Sequence, residues 1–172
     1  MKRKNTSAHL LDKSSLSTYL DFKIFLDKNL KSKKFVIGVS GGPDSLTLAY
    51  LSKIYCDEKK LDFTCIIIDH GARKGSGKEA QKVKHLFLKK RIKSVIFKIN
   101  ITNLKNFQLE ARQKRYDKMS EFCKKKKINY ILLGHHLDDQ IENFYIRLSR
   151  GSGLTGLSPI KTISKYKKYI LL

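Results

Sequence analysis

Residues 40–45, Ser-Gly-Gly-Pro-Asp-Ser, have the residue types of a loop that holds phosphate groups. They follow the apolar run Phe35–Val39 and open a segment with helical spacing, which predicts a strand, a turn and a helix. Backbone N–H groups and the positive end of the helix dipole would then face a ligand above the turn. We expect a phosphate cradle; the alternative is an ordinary Gly-Gly-Pro turn with a Ser or Asp helix cap.

Two other phosphate-binding motifs do not fit this segment. The Walker loop requires a lysine after its second glycine, and none follows Gly42. The glycine spacing also differs from the G-x-G-x-x-G turn of dinucleotide-binding proteins. The absence of side chains at Gly41 and Gly42 would nevertheless let the main chain approach an anion closely.

Polar residues also follow two other apolar runs. Asp69 and His70 come after residues 63–68, and a denser cluster comes after residues 128–133: His135, His136, Asp138 and Asp139. Carboxylates hold Mg²⁺ against phosphates, and an imidazole or carboxylate moves protons. The alternative is helix capping, since Asp138 and Asp139 also suit a helix N-terminus.

A segment near residue 110 carries two arginines at helical spacing. Arg112 and Arg115 would share one side of the helix, with Tyr116 one turn beyond Arg112. Paired guanidinium groups can neutralise phosphate charge. A basic surface face is the alternative, and without the other motifs we would favour it.

Apolar strands alternate with helices along the chain, which predicts an α/β fold with a parallel sheet flanked by helices. We predict strands over 35–39, 63–68, 95–99 and 128–133, and Tyr169–Leu172 could begin another. Helices are predicted over about 16–31, with a cap from Ser14, Ser15 or Ser17, from Pro43 onward, around Ala80 to Phe87, over 108–126 and over about 137–149. In such sheets ligands bind beyond the carboxyl ends of the strands, where the predicted polar clusters lie.

Composition points to a globular protein with a polyanionic partner. The 172 residues are 41% hydrophobic, and 37 Lys+Arg against 15 Asp+Glu leave a net charge of +22, which favours RNA or DNA as a partner. Genome base composition is the alternative source of the lysines. No apolar run reaches the roughly 20 residues of a membrane helix, so we expect no membrane and a cytoplasmic location. Cys56, Cys65 and Cys123 fit no metal spacing and are predicted to be reduced thiols.

Five motifs in order, SGGPDS, IDHG, LEARQKRY, GHHLDDQIEN and RLSRGSGLTGL, resemble the catalytic domain of the tRNA(Ile)-lysidine synthase family. That family belongs to the PP-loop ATPases, which have the Rossmann-like adenine-nucleotide alpha-hydrolase fold. The resemblance implies that ATP adenylates the wobble cytidine of an isoleucine tRNA with a CAU anticodon. Free lysine then displaces AMP and forms lysidine.

The resemblance also implies roles for individual residues. Arg112, His135 and Asp139 would be catalytic, and Asp44 and Asp138 would hold Mg²⁺. The cofactor-binding residues for ATP would be Ser40, Gly41, Gly42, Pro43, Asp44, Ser45, Asp69 and His70. A glycine-rich flap would be formed by Gly151, Gly153 and Gly156.

Departures from the family pattern define the alternatives. Asn143 replaces a usual threonine, and Ala72, Lys74 and Gly75 interrupt the usual continuation after IDHG. We expect a flexible basic segment over 1–15 and a catalytic domain over 16–172, with the family's C-terminal part and tRNA-binding domains missing; a homodimer is possible. Another PP-loop enzyme, or a basic RNA-binding fragment without catalysis, is the competing function.

Overall fold

The computed structural model describes residues 11–69, 71, 75–101, 107–134 and 163–172. Within these ranges the chain alternates helices and strands in the order α1 (Lys13–Asn29), β1 (Lys34–Val39), α2 (Pro43–Lys59), β2 (Asp62–Asp69), α3 (Ser76–Lys89), β3 (Ser94–Lys98), α4 (Phe107–Lys126), β4 (Tyr130–Leu133), β5 (Ser164–Tyr166) and β6 (Tyr169–Leu171). The predicted final helix over 137–149 and the glycine-rich flap lie outside the described residues.

One sheet is built in the order β3-β2-β1-β4-β6-β5. All neighbours are parallel except β5 and β6, which form an antiparallel hairpin at one edge. The predicted α/β fold with a parallel sheet flanked by helices is therefore confirmed. Strand β1 has β2 on one side and β4 on the other, so the order reverses beside β1, where such sheets bind ligands.

Alternate residues of β1 point into two hydrophobic cores, which explains its continuous apolar sequence. Phe35, Ile37 and Val39 pack in one core with the first three helices. Val36 faces the other core, where Tyr116 and Met119 of α4 pack. The sheet thus lies between α1, α2 and α3 on one face and α4 on the other.

The beginning of α1 corrects one prediction. The helix starts at Lys13, and its N-cap is Asp12, whose side chain accepts a hydrogen bond of 2.7 Å from the Ser15 backbone N–H. The expected cap from Ser14, Ser15 or Ser17 is wrong because Asp12, an equally good capping residue, comes one turn earlier. None of the helices in the described ranges is long and apolar enough to cross a membrane.

Candidate active site at the carboxyl edge of the sheet

The glycine turn between β1 and α2 has the backbone geometry expected of a phosphate cradle. Gly41 has a φ of +93°, in the left-handed region that favours glycine. Gly42 is the N-cap of α2 without a side-chain hydrogen bond, and Pro43 occupies the first turn. The positive end of a 17-residue helix therefore begins at Gly42 without a side-chain cap at that residue, as an anion site requires.

Two serine hydroxyl groups hold the turn together from inside. The Ser45 hydroxyl donates to the Gly42 carbonyl at 3.0 Å, and the Ser40 hydroxyl donates to Ser45 Oγ at 3.3 Å. Ser40 Oγ also accepts from the Gly42 N–H at 3.5 Å. Ser45 is buried at 4% exposure, so its first contribution is to shape the turn. Asp44 is exposed in the first turn of α2.

Asp69 lies at the end of β2 with its carboxylate buried at the mouth of the site. The residue is 6% exposed, and its Oδ1 accepts a hydrogen bond of 3.0 Å from the Gly71 N–H. Its Oδ2 is 3.3 Å from the position that a Cβ of Gly77 would take, so Gly77 makes room for the carboxylate. The first turn of α3 therefore holds Asp69 closely.

A cleft of about 670 Å³ separates the glycine turn from α3. The turn lines one wall, residues 67–69 of β2 form the floor, and α3 supplies the other wall with Ser76, Glu79, Ala80, Lys82 and Val83. The volume lies in the range of small-molecule sites. The structure thus brings Asp69 and the glycine turn together, as the sequence predicted.

The end of β4 meets the same helix terminus. A Cβ at Gly134 would lie 3.2 Å from the Asp44 carbonyl carbon and 3.2 Å from the backbone nitrogen and Cα of Ser45. A side chain here would require the first turn of α2 to move by a few tenths of an ångström. Residue 135 therefore follows directly from a residue packed against the first turn of α2. His70, His135, Asp138 and Asp139 themselves lie outside the described residues.

Arg112 lies on α4, across the sheet from the cleft. Its guanidinium is 5.6 Å from the ring centroid of Tyr116, and that of Arg115 is 5.5 Å from the same ring. Burial lowers the pKa of Arg115, and its Nε has no hydrogen-bond partner among the described residues. The two guanidinium groups do share one region of α4, as predicted, but Arg112 does not line the cleft at the glycine turn.

The N-terminal part of α4 nevertheless lies at the carboxyl edge of the sheet. Helix α4 follows β3 and precedes β4, and both strands run parallel to the strands between them. The Lys114 ammonium donates to the carbonyl of Asn100, just past the end of β3. Arg112, in the second turn of α4, is therefore at the same end of the sheet as the glycine turn.

Sequence reasoning missed the α3 wall of the cleft. Ser76, Glu79 and Lys82 were not singled out, because their spacing is that of any exposed helix surface. One signal was available: these residues lie in the first turns of the helix that follows the Asp-His-Gly segment. Only the packing of α3 on the sheet shows that this helix end faces the glycine turn.

The cysteines are core residues on both faces of the sheet. Cys56 and Cys65 pack with α1, α2 and α3, whereas Cys123 packs on the α4 side. All three are buried and free, and burial raises the pKa of each thiol to about 12. The prediction of reduced core thiols agrees with this, and the sheet prevents them from sharing one metal ion.

Comparison with known sequences supports the same interpretation. A family profile described as a PP-loop domain matches residues 16–172. The chain is 39% identical over 129 residues to a tRNA(Ile)-lysidine synthase of Orientia tsutsugamushi, covering 74% of this chain and 29% of the relative. A protein with the same name from Wolbachia pipientis is 38% identical over 145 residues, covering 81% and 32%. The chain thus spans about a third or less of the curated relatives it matches.

Solved structures show the same fold. The U34-tRNA thiolase NcsA from Methanococcus maripaludis, solved with its [4Fe-4S] cluster, aligns with a TM-score of 0.65 at 20% identity over 89% of this chain and 57% of that chain. The NH3-dependent NAD synthetase from Campylobacter jejuni aligns with a TM-score of 0.54 at 18% identity over 87% and 66%. At these identities the likeness concerns the fold alone.

Proposed function

Because the chain belongs to the family of PP-loop domains, we propose that it binds ATP at the glycine turn and serves lysidine formation in tRNA. The observation that carries the proposal is the convergence of the glycine turn, Asp69 and Gly134 beside β1. The names of the relatives supply the reaction: they are tRNA(Ile)-lysidine synthases.

In the proposed reaction the C2 oxygen of the wobble cytidine attacks the α-phosphate of ATP, and pyrophosphate leaves. The amine of free lysine then attacks C2 and AMP leaves, which gives lysidine. The glycine turn would hold the leaving pyrophosphate, since N–H groups at a helix N-terminus stabilise developing negative charge. The 3.0 Å bond from Ser45 to Gly42 keeps the turn in the shape this requires.

Asp69 would position the nucleoside, with His70 beside it. Its carboxylate accepts hydrogen bonds, and its burial between β2 and α3 fixes its direction. Mg²⁺, which neutralises phosphate charge, would be held by Asp44 and Asp138. Asp44 fits this role because its carboxylate is exposed in the first turn of α2, next to the proposed phosphate site.

The lysine step needs a group that takes a proton, because an ammonium cannot act as a nucleophile. We assign orientation of the lysine and removal of its proton to His135 and Asp139. Support comes from Gly134, the residue before His135, which packs against the first turn of α2. Arg112 would offset negative charge on the phosphate or the adenylate from the α4 side.

The test of this function is transfer of radiolabelled lysine to an isoleucine tRNA with a CAU anticodon. Transfer should require ATP, and Asp139→Asn should abolish it. The chain spans about a third or less of its relatives, so the first step should also be measured by itself. Its signal is release of pyrophosphate in the presence of tRNA and the absence of lysine. Label that appears without ATP, or full activity of the Asp139→Asn variant, would contradict the assignment.

The net charge favours a second candidate, an RNA-binding domain without catalysis. A charge of +22 supports binding to RNA whether or not the reaction occurs. This candidate predicts tRNA binding with a steep salt dependence and no AMP in any mixture. Detection of AMP that depends on tRNA would exclude it.

A further inference from the structure

One face of α3 carries a row of exposed basic side chains. Lys78, Lys82, His85 and Lys89 follow one another at intervals of four, three and four residues, which places them on the same side of the helix. We call this row the α3 stripe. All four residues are exposed.

The α3 stripe borders an open cleft of about 900 Å³ beside β3. Lys78, Lys82 and His85 line the cleft from the helix, and Lys98 lines it from the end of β3. Within the described ranges β3 is the edge strand of the sheet, and none of the described strands covers this side. The cleft therefore offers a ligand basic groups on two elements at once.

The lysines of this surface have no carboxylate partner among the described residues. Within the described part of the chain none of Lys78, Lys82, Lys89 and Lys98 forms an ion pair. Lysines elsewhere in the described residues often form ion pairs: Lys23 pairs with Glu58, Lys59 with Asp27, Lys93 with Asp62 and Lys167 with Asp117. The uncompensated charge on the stripe favours an anionic ligand.

Ordinary structural roles account for only part of this pattern. Lys89, in the last turn of α3, suits the negative end of the helix dipole, and Lys98 could protect an edge strand from pairing. Lys78 lies in the first turn, where the dipole disfavours a positive charge. Neither role explains Lys78 or Lys82.

The position of the stripe relates it to the candidate site. Lys82 lines both the stripe cleft and the glycine-turn cleft, and Asp69 borders both as well. From Lys78 to Lys89 the helix rises about 16 Å at ~1.5 Å per residue. The stripe runs from the carboxyl edge of the sheet, where the reacting base must arrive, toward the opposite edge.

We propose that the α3 stripe and Lys98 bind the phosphate backbone of the RNA strand that enters the glycine-turn cleft. The interaction is electrostatic and independent of sequence, so it positions the strand and leaves base selection to other groups. The inference rests on the proposed function for the identity of the RNA as a tRNA and for the entry of its strand into the cleft.

The experiment compares two triple variants of the whole chain that lose the same charge. Lys78→Gln, Lys89→Gln and Lys98→Gln remove three charges of the stripe surface and leave Lys82, which also lines the nucleotide cleft. Lys124→Gln, Lys125→Gln and Lys126→Gln remove three exposed lysines at the end of α4, at the amino edge of the sheet. Binding of a fluorescent tRNA transcript is measured by anisotropy over a range of salt concentrations, without ATP or lysine.

The stripe variant should bind at least about tenfold more weakly at low salt, and the slope of log K against log salt should fall by about 2 to 3. The α4 variant should stay within about twofold of the parent at the same salt concentration. Equal losses in both variants, an unchanged stripe variant, or a parent chain that binds no tRNA would each overturn the proposal. Absence of lysine transfer would contradict the proposed function without affecting this result, because binding is measured separately from the reaction.

Discussion

Gly134 packs against Ser45 so closely that a Cβ on the glycine would lie 3.2 Å from the serine backbone nitrogen. The two residues are far apart in sequence but close in space because β4 pairs with β1, and Ser45 lies in the first turn of the helix that follows β1. The contact connects the glycine turn with the residue that precedes the proposed lysine-binding residues. It also makes this junction sensitive to a single methyl group.

Gly134→Ala should destabilise the protein and weaken ATP binding together. The added methyl group would press on backbone atoms of Asp44 and Ser45, which cannot move without shifting the first turn of α2. We expect a loss of about 1–3 kcal/mol in the free energy of unfolding, as for other overpacked sites. Urea denaturation and an ATP titration on the same preparation measure the two effects.

Gly38→Ala is the matched control. A Cβ there would lie 2.7 Å from Leu133 Cδ2 and 3.0 Å from Met119 Sδ, so it overpacks the α4 side of the sheet instead of the turn. Stability should fall, whereas the affinity of the folded protein for ATP should hold. If both variants lose ATP affinity alike, the contact of Gly134 has no special connection with the site.

Gly41→Ala should impair phosphate binding through backbone strain and not through a clash. The φ of +93° disfavours a side chain, yet the nearest atom to an added Cβ is Val83 Cγ2 at an ordinary 3.6 Å. The expected cost is about 1–3 kcal/mol of stability, or relaxation of the turn away from its present shape. Either outcome should lower ATP affinity, which isothermal titration measures.

Gly75→Ala is the control for Gly41→Ala, because it introduces backbone strain outside the glycine turn. Gly75 has a φ of +110° and open space around its Cα, and it does not line the glycine-turn cleft. We expect a similar loss of stability with ATP affinity retained. An ATP affinity that falls equally in both variants would show that the phosphate cradle is not formed at Gly41.

Asp117 should make the contact between α4 and the β5–β6 hairpin sensitive to acid. A hydrogen bond from Lys167 at 2.7 Å, with others from Gln113 and the Tyr166 hydroxyl, lowers the pKa of Asp117. A carboxyl group whose pKa is lowered by folding stabilises the folded protein at pH values above its unfolded-state pKa of about 3.9. That contribution is lost as the pH falls through the folded-state pKa, so Asp117→Asn should cost stability at pH 7 and progressively less as the pH falls below the unfolded-state value.

The expected difference at pH 7 is below about 1 kcal/mol, because the carboxylate is partly exposed. Glu121→Gln is the control, since the pair Lys118–Glu121 lies within α4 and holds no second element. Denaturation curves at several pH values compare the variants. A cost of Asp117→Asn that grows toward low pH would contradict the assignment.

The three thiols should resist alkylation in the native state. Burial raises the pKa of Cys56, Cys65 and Cys123 to about 12, so at pH 8 little thiolate is present and the reagent has no access. Mass spectrometry after iodoacetamide treatment should find no label without urea and three labels with it. Rapid labelling of any one thiol in the native protein would show that its part of the core opens.

Local sequence patterns predicted the helices and strands of the described residues with only small errors at their ends. Strands β1, β2 and β3 agree with their predictions to within one residue at either end, because mainly apolar runs bounded by polar residues leave little choice. The α1 cap was misplaced because Asp and Ser compete for that position on nearly equal terms. The hairpin was half predicted: only its second strand, β6, has an apolar sequence.

What the sequence determined by itself is the set of reactive residue types, the alternation of strands and helices, and the glycine turn at the end of the first strand. Those follow from interactions between residues close along the chain. Tertiary structure alone decided that β4 lies beside β1, that α3 rather than α4 forms the wall of the glycine-turn cleft, and that Gly134 meets Ser45. Strand order depends on which packing buries both faces of the sheet best, and that property belongs to the whole chain and to no single segment.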